Sequence, residues 1–189
     1  MKRVFFGALL VFGFLAGSCW GADFSFLLND NSAQANLDIS LDKNEYGSSF
    51  GGIRVLYNDK KETLLGSLSG GVSGEPGDIP GLKLGVEILG NLGTSKENND
   101  LLSLGLGLLA SYQPPQLQGF GTYVRGQWTP ELLSFLDCEG MVEGAFGVSY
   151  MVMPKATLKV EYQVIEADFK DAKNQDIDES LRVGVVFHF

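Results

Sequence analysis

The last nine residues of the chain are Leu181-Arg182-Val183-Gly184-Val185-Val186-Phe187-His188-Phe189. Apolar side chains occupy every second position, while the positions between them are mostly polar or glycine. This period of two predicts a β-strand with one apolar face and one mostly polar face. An exposed terminal strand would leave an unpaired edge, which invites aggregation. In a closed barrel both edges pair, so the stretch favours a barrel, with the last strand of a soluble β-sandwich as the alternative.

An alternating strand that ends in an aromatic residue resembles the assembly signal of bacterial outer-membrane barrels. Here the signal would consist of Val185, Phe187 and Phe189. The resemblance implies the barrel assembly machinery as a partner and outer-membrane lipid as the surroundings of the folded chain.

The same alternation recurs along the chain before this strand. Nine earlier segments show it: 24–28, 33–41, 49–57, 63–73, 82–90, 101–111, 120–128, 141–151 and 155–167. Most have about 9–11 residues, the length with which a tilted strand crosses a bilayer. We therefore predict an all-β fold, an antiparallel up-and-down transmembrane β-barrel of ten strands. Eight strands are the alternative, because segment 24–28 is short and single-chain bacterial barrels have even strand numbers.

The polar parity of these segments carries nearly all of their charges. The charged residues are Asp38, Arg54, Lys83, Glu87, Arg125, Glu143, Lys159, Glu161 and Arg182. In a membrane barrel this face points into the lumen and the apolar face points to lipid. A nearly balanced set of charges suits a narrow lumen, because buried charges must pair. A wide pore is excluded by strand count, since such channels need ~16 strands.

The connections alternate in composition. One set, 58–62, 93–100, 129–139 and 170–180, is charged and often long, and the other is on average shorter and richer in Pro and Gly. Because outer-membrane barrels have long external loops and short periplasmic turns, we assign the charged set to the cell surface. Segment 170–179 is the strongest candidate for a contact surface. Its acidic residues could bind Ca²⁺, but it lacks the EF-hand pattern and its glycine, which favours a solvated loop.

The N-terminus predicts export. Basic Lys2 and Arg3 precede the apolar run 4–16 and the small-residue segment 17–22, which together indicate a cleaved Sec-type signal peptide over residues 1–22. Residues 23–189 then form a single barrel domain. Lipidation at Cys19 is the alternative to simple cleavage, although Leu15 lies one position too far from it for a lipobox. Without the leader, Cys138 is a lone thiol.

Composition excludes several function classes. The chain of 189 residues has 25 glycines, 6 prolines and a formal net charge of −9. No cluster of Lys and Arg is present, which argues against nucleic-acid binding. The only histidine is His188, and no Cys/His constellation indicates zinc, so we predict no cofactor.

Aromatic residues concentrate near the predicted strand ends. They are Tyr57, Tyr112, Phe120, Trp128, Tyr150, Phe187 and Phe189. Tyr and Trp prefer the membrane interface, which predicts an aromatic girdle, although core packing at the ends of a sandwich would also place aromatic residues there.

Residues 119–189 resemble the YfaZ family of Gram-negative outer-membrane proteins. The similarity begins at Gly119-Phe120-Gly121-Thr122-Tyr123-Val124-Arg125-Gly126-Gln127-Trp128-Thr129-Pro130-Glu131 and continues through 142–148, 160–165 and 183–189. Glu161-Tyr162-Gln163 departs from the family's Gly-Tyr-Arg pattern. The resemblance implies a porin-like outer-membrane barrel and brings no catalytic residues.

The leading functional hypothesis is a small non-catalytic outer-membrane barrel. Its role would be structural or in surface contact through external loops, with a narrow channel as a further use of the lumen. One alternative is an outer-membrane lipid-modifying enzyme, for which Glu143 with Glu161, or His188, would be the candidate groups. The other is a soluble periplasmic β-sandwich that binds a ligand.

Overall fold

The structure is a computed structural model that describes residues 21–44, 47–77, 79–95, 100–170 and 175–189. These residues form eleven strands: β1 (Ala22–Leu28), β2 (Ser32–Asn44), β3 (Gly47–Asn58), β4 (Thr63–Gly74), β5 (Leu82–Thr94), β6 (Asp100–Tyr112), β7 (Phe120–Thr129), β8 (Ser134–Leu136), β9 (Cys138–Met153), β10 (Ala156–Phe169) and β11 (Gln175–His188). No helix in this part of the chain is long and apolar enough to cross a membrane.

The strands form one closed antiparallel barrel. Pairing runs from β1 through successive neighbours to β11, and β11 then pairs with β1. The terminal strand has β10 on one side and β1 on the other, in a register that places Asp23 opposite His188 and Leu28 opposite Val183. This closure confirms the predicted up-and-down barrel and excludes the open sandwich.

The short strand β8 does not add a position to the barrel. β6 pairs with β7 over Leu106–Tyr112 and with β8 over Leu101–Ser103, so β7 and β8 share one place beside it. Between them lie Pro130, which has no N–H to donate, and a 3-10 turn at Glu131–Leu133. The barrel therefore has ten strands, as predicted.

The distribution of apolar and polar side chains over the two faces of the barrel wall is the reverse of that in a soluble protein. Apolar side chains that point outward are exposed on every long strand, among them Phe26, Val55, Leu68, Ile88, Leu108, Val124, Phe146, Leu158 and Val183. Polar and charged side chains point inward and are buried, among them Gln34, Arg54, Glu87, Gln127, Glu143, Gln163 and Arg182. Because exposed apolar area is costly in water, this surface suits a lipid environment.

Exposed aromatic side chains lie near both ends of the wall. Tyr112, Tyr150 and Phe187 are close to the end where β1 begins and β11 ends, here named the terminal end, and Tyr57 and Trp128 are close to the opposite end. The band between the two levels is mainly aliphatic, with Phe146 and Tyr162 as exceptions. Two aromatic levels of this kind are expected of interfacial girdles.

The connections at the opposite end are shorter than predicted. The strands extend further into this end, so that β3 and β4 are joined by residues 59–62 and β9 follows β8 after Asp137 alone. Segment 170–179 is not one loop, because β11 begins at Gln175. Residues 171–174 lie outside the described residues. The prediction of a long acidic contact loop is therefore wrong for Asp176, Asp178 and Glu179, which lie in β11.

Residues 1–20, which include most of the predicted signal peptide and Cys19, lie outside the described residues. β1 begins at Ala22, the last residue assigned to the leader. The predicted cleavage stays a prediction.

Candidate functional site

The lumen is the candidate site, because it gathers the charges that the sequence pattern assigned to one face. Strand register places all nine predicted charges on the inward side. Arg54, Glu87, Glu143, Glu161 and Arg182 are buried in it. Asp38 and Lys83 are exposed toward the terminal end, and Arg125 and Lys159 are half-buried between these levels.

One buried ion pair joins β3 to β9 across the lumen. Both guanidinium Nη atoms of Arg54 donate to the carboxylate of Glu143, and Ser67 Oγ accepts from Arg54 Nη2 at 3.0 Å. Gln163 Nε2 donates to Glu143 Oε1 at 2.8 Å. A bidentate pair with its remaining hydrogen bonds satisfied is the form in which a buried ion pair is tolerated.

A second pair links β7 to β5. Arg125 Nε donates to Glu87 Oε1 at 2.6 Å and Arg125 Nη2 donates to Glu87 Oε2 at 3.0 Å. Glu87 is buried while Arg125 keeps part of its surface open to the lumen. The pair is therefore also bidentate, but it lies closer to water than the Arg54–Glu143 pair.

A third cluster surrounds Glu161 of β10. Its carboxylate accepts from the Tyr123 hydroxyl, and the Lys159 ammonium lies 2.9 Å from Oε2 and 4.3 Å from the centre of the Tyr123 ring. Gly147 makes room for that ring, because a Cβ there would overlap it. The ring and ammonium thus pack as a cation–π pair beside a neutralised carboxylate.

The fourth pair contains a lumen residue that the sequence analysis missed. Arg182 Nη2 donates to Asp178 Oδ2 at 2.6 Å, and both side chains are wholly buried. Asn58 Nδ2 donates to Asp178 Oδ1 at 2.6 Å, and Arg182 also donates to Ser32 and Gln163. Asp178 was assigned to a loop because acidic residues surround it. The one-charge excess of positive residues in the predicted set was a signal that an acid was missing.

An apolar cluster fills the lumen beyond these pairs, at the opposite end. Its members are Leu56, Leu65, Leu101, Cys138, Met141, Ile165, Ala167, Phe169 and Ile177. Most of them occupy inward positions near strand ends. The sequence pattern predicted only polar residues at inward positions. The cluster and the four ion pairs together occupy much of the lumen.

A cavity of about 180 Å³ lies in the lumen on the terminal side of the apolar cluster. We name it the vestibule. Its lining includes Asp38, Phe50, Ser69, Tyr123, Arg125, Lys159 and Glu161.

The C-terminus lies at the rim of the terminal end. His188 Nδ1 is 2.7 Å from Asp23 Oδ1, and His188 Nε2 is 2.9 Å from Thr157 Oγ1. Phe189 N–H donates to the Ala22 carbonyl at 2.9 Å. Val185 and Phe187 lie on the outward face of β11, and Phe189 follows the end of the strand at the same parity. Their role as an assembly signal stays a prediction.

Each candidate catalytic group is in contact with neighbouring side chains. Glu143 and Glu161 each pair with a different cation, as described above, and His188 is held by Asp23 and Thr157. Cys138 is buried, with Sγ 3.4 Å from the Gly140 carbonyl oxygen. No group of three or more His, Cys, Asp or Glu suited to a metal ion occurs in the described ranges.

Comparison with known proteins gives neighbours in fold only. No family model and no curated protein matches the chain. Among solved structures, the KdgM porin is 12% identical over 89% of this chain and 99% of that chain, with a TM-score of 0.43. OmpT of Vibrio cholerae is 10% identical over 89% and 95%, with a TM-score of 0.42. The translocator domain of the autotransporter NalP from Neisseria meningitidis is 14% identical over 100% and 95%, with a TM-score of 0.40.

The closed strand pairing and the reversed faces define the class of protein. The chain has the fold of an antiparallel transmembrane β-barrel of the outer-membrane type, with ten strand positions and a lumen that holds paired charges and an apolar cluster.

Proposed function

We propose that this chain is a small outer-membrane protein of a Gram-negative cell, exported by a Sec-type signal peptide and folded by the barrel assembly machinery. Its lumen is sealed, and its role is structural or in contact at the cell surface, without catalysis. The observation that carries the proposal is the reversal of faces: an apolar wall surrounds an interior whose buried charges are paired.

The filled interior argues against the narrow channel. Ions crossing the barrel would have to displace buried ion pairs and then an apolar layer that offers them no polar partner. Purified protein in a planar bilayer is expected to give no stepwise conductance. The double variant Phe169→Ala with Met141→Ala removes part of the apolar cluster. Its conductance, compared with that of the unsubstituted protein, tests whether this cluster blocks the passage of ions. Regular conductance steps from the unsubstituted protein would contradict the sealed lumen.

The paired state of Glu143 and Glu161 makes the enzyme alternative weaker than the structural one. A general acid or nucleophile needs a carboxyl group that can reach substrate, and Arg54 and Lys159 already hold these two. Turnover of a lipid or glycan by the purified barrel, lost in Glu143→Gln, would overturn the non-catalytic proposal.

The contact surface that we propose is the connection between β7 and β8. Its 3-10 turn exposes 86% of Leu132, and Phe135 and Leu136 are also exposed there. We therefore propose this exposed apolar turn as the contact surface in place of the acidic segment 170–179.

The orientation can be tested by labelling intact cells with a membrane-impermeant maleimide. Leu132→Cys is expected to react in intact cells, whereas Glu75→Cys, in the β4–β5 connection at the terminal end, is expected to react only after lysis. The unsubstituted chain is the control, because Cys138 is buried. The reverse labelling pattern would invert the barrel in the membrane.

We also propose membership of the YfaZ family, supported by the motifs in residues 119–189. A solved YfaZ structure should then pair Gly126 with Gly144 across β7 and β9, as this barrel does. A different register there would remove the proposal.

A further inference from the structure

The vestibule contains one carboxylate without a direct partner, although the cations Arg125 and Lys159 act on it at longer range. Three of its positive groups are matched one to one with carboxylates, in the pairs Arg54–Glu143, Arg125–Glu87 and Lys159–Glu161. The remaining lining charge is Asp38 of β2, which has no hydrogen-bond or ion-pair partner among the described residues. By formal count the lining therefore has one more carboxylate than it has cations, and the unmatched carboxylate is Asp38.

The wall beside Asp38 is shaped around its carboxylate. A Cβ placed on Gly52 of β3 would lie 2.6 Å from Asp38 Oδ1 and 2.8 Å from Ser69 Oγ. The carboxylate and the hydroxyl thus approach each other over a residue without a side chain. Together they offer hydrogen-bond acceptors to a donor that enters from the terminal end.

Two aromatic side chains line the same cavity. Phe50 of β3 lies over Gly71, which has no side chain to displace it, and Tyr123 is fixed by Glu161 and Lys159. An organic cation could contact Asp38 with its charged end and an aromatic ring with its body. At about 180 Å³ the space is smaller than a typical drug-sized pocket, which limits the ligand to one small ring or a short chain.

We propose that the vestibule is a binding site for a small primary amine. The ammonium group donates to Asp38 and Ser69, and the organic part lies against Phe50 and Tyr123. The site opens toward the terminal end and is closed on the other side by the apolar cluster, so it binds from one side without transport. This inference goes beyond the sealed structural barrel, which stands whether or not an amine binds.

The test is ¹⁹F NMR titration of 4-fluorobenzylamine into the folded barrel in detergent micelles. Saturable binding is expected, whereas the neutral analogue 4-fluorobenzyl alcohol should bind only by partition into the micelle. Asp38→Asn should weaken amine binding by about tenfold or more, because it removes a charged hydrogen-bond acceptor. Asp42→Asn, on the same strand but outside the vestibule lining, should change it by less than about twofold.

Three results would overturn the amine site: no saturable binding, equal binding of the alcohol, or equal affinity in Asp38→Asn. Each variant is first shown to be folded by its heat-modifiable migration on a gel. Conductance is measured separately, so that failure of the amine site and failure of the sealed lumen are distinguishable.

Discussion

Gly184 of β11 lies directly opposite Leu27 of β1, on the inner side of the seam that closes the barrel. A Cβ on Gly184 would lie 2.7 Å from Leu27 Cα and would overlap the Phe26 carbonyl. The seam therefore closes at this point only because residue 184 has no side chain. β1 is also shorter than the other strands that form the wall, apart from the β8 segment, so little further pairing can compensate for a disturbance here.

Gly184→Val is expected to destabilise closure by about 1–3 kcal/mol, since the added groups meet backbone that cannot rotate away. The measurement is the fraction of protein that shows heat-modifiable migration after refolding into detergent. Gly126→Val is the matched control, because a Cβ there meets nothing within 4 Å, and its effect should stay within about 1 kcal/mol. Equal behaviour of the two variants would contradict the tight seam.

Arg182→Met is expected to cost about 3–5 kcal/mol of unfolding free energy, because it leaves the wholly buried Asp178 without its cation. Urea-induced unfolding in lipid vesicles measures this cost. The second substitution Asp178→Leu should recover much of the loss, since it removes the unpaired charge.

The control for that prediction is the more exposed ion pair between Lys61 and Asp176, in which Lys61 Nζ lies 2.8 Å from Asp176 Oδ2. Lys61→Met should cost less than about 1 kcal/mol, as exposed ion pairs do. If Lys61→Met and Arg182→Met cost the same, the pair at Arg182 is not buried in the folded protein.

Leu108→Arg should destabilise the barrel in a bilayer by about 2–4 kcal/mol, because Leu108 points outward near the middle of β6. Leu132→Arg places the same charge on a residue that is even more exposed but lies in the turn at the opposite end. Its cost in the same vesicle unfolding experiment should be below about 1 kcal/mol. A soluble barrel would tolerate both substitutions, so the difference between them is the diagnostic quantity.

Much of the wall could be predicted from sequence, because side chains in a strand alternate with a period of two wherever lipid and lumen lie on opposite sides. The inward position of Arg54 and Glu143 follows from this period alone. Their pairing does not, because β3 and β9 are far apart in sequence and meet only across the lumen.

Two features of the interior escaped the sequence analysis for physical reasons. Asp178 lies in an acidic run that is typical of a solvated loop, and only its pairing with Arg182 and Asn58 makes the buried position stable. The apolar cluster uses residues such as Leu56 and Ile165 on the otherwise polar parity. Leucine and isoleucine at inward positions of one barrel end were a readable signal of a closed lumen.

The most direct test of the reversed faces is nitroxide scanning by electron paramagnetic resonance in vesicles, in a Cys138→Ala background. Labels at Ile53, Val55, Leu106 and Leu108 should collide readily with dissolved oxygen and rarely with a water-soluble nickel chelate, because these positions face lipid. A label at Ser69, in the vestibule, should show the opposite preference. Free access of the nickel chelate to the four outward positions would contradict the account, because the apolar face would then be in water.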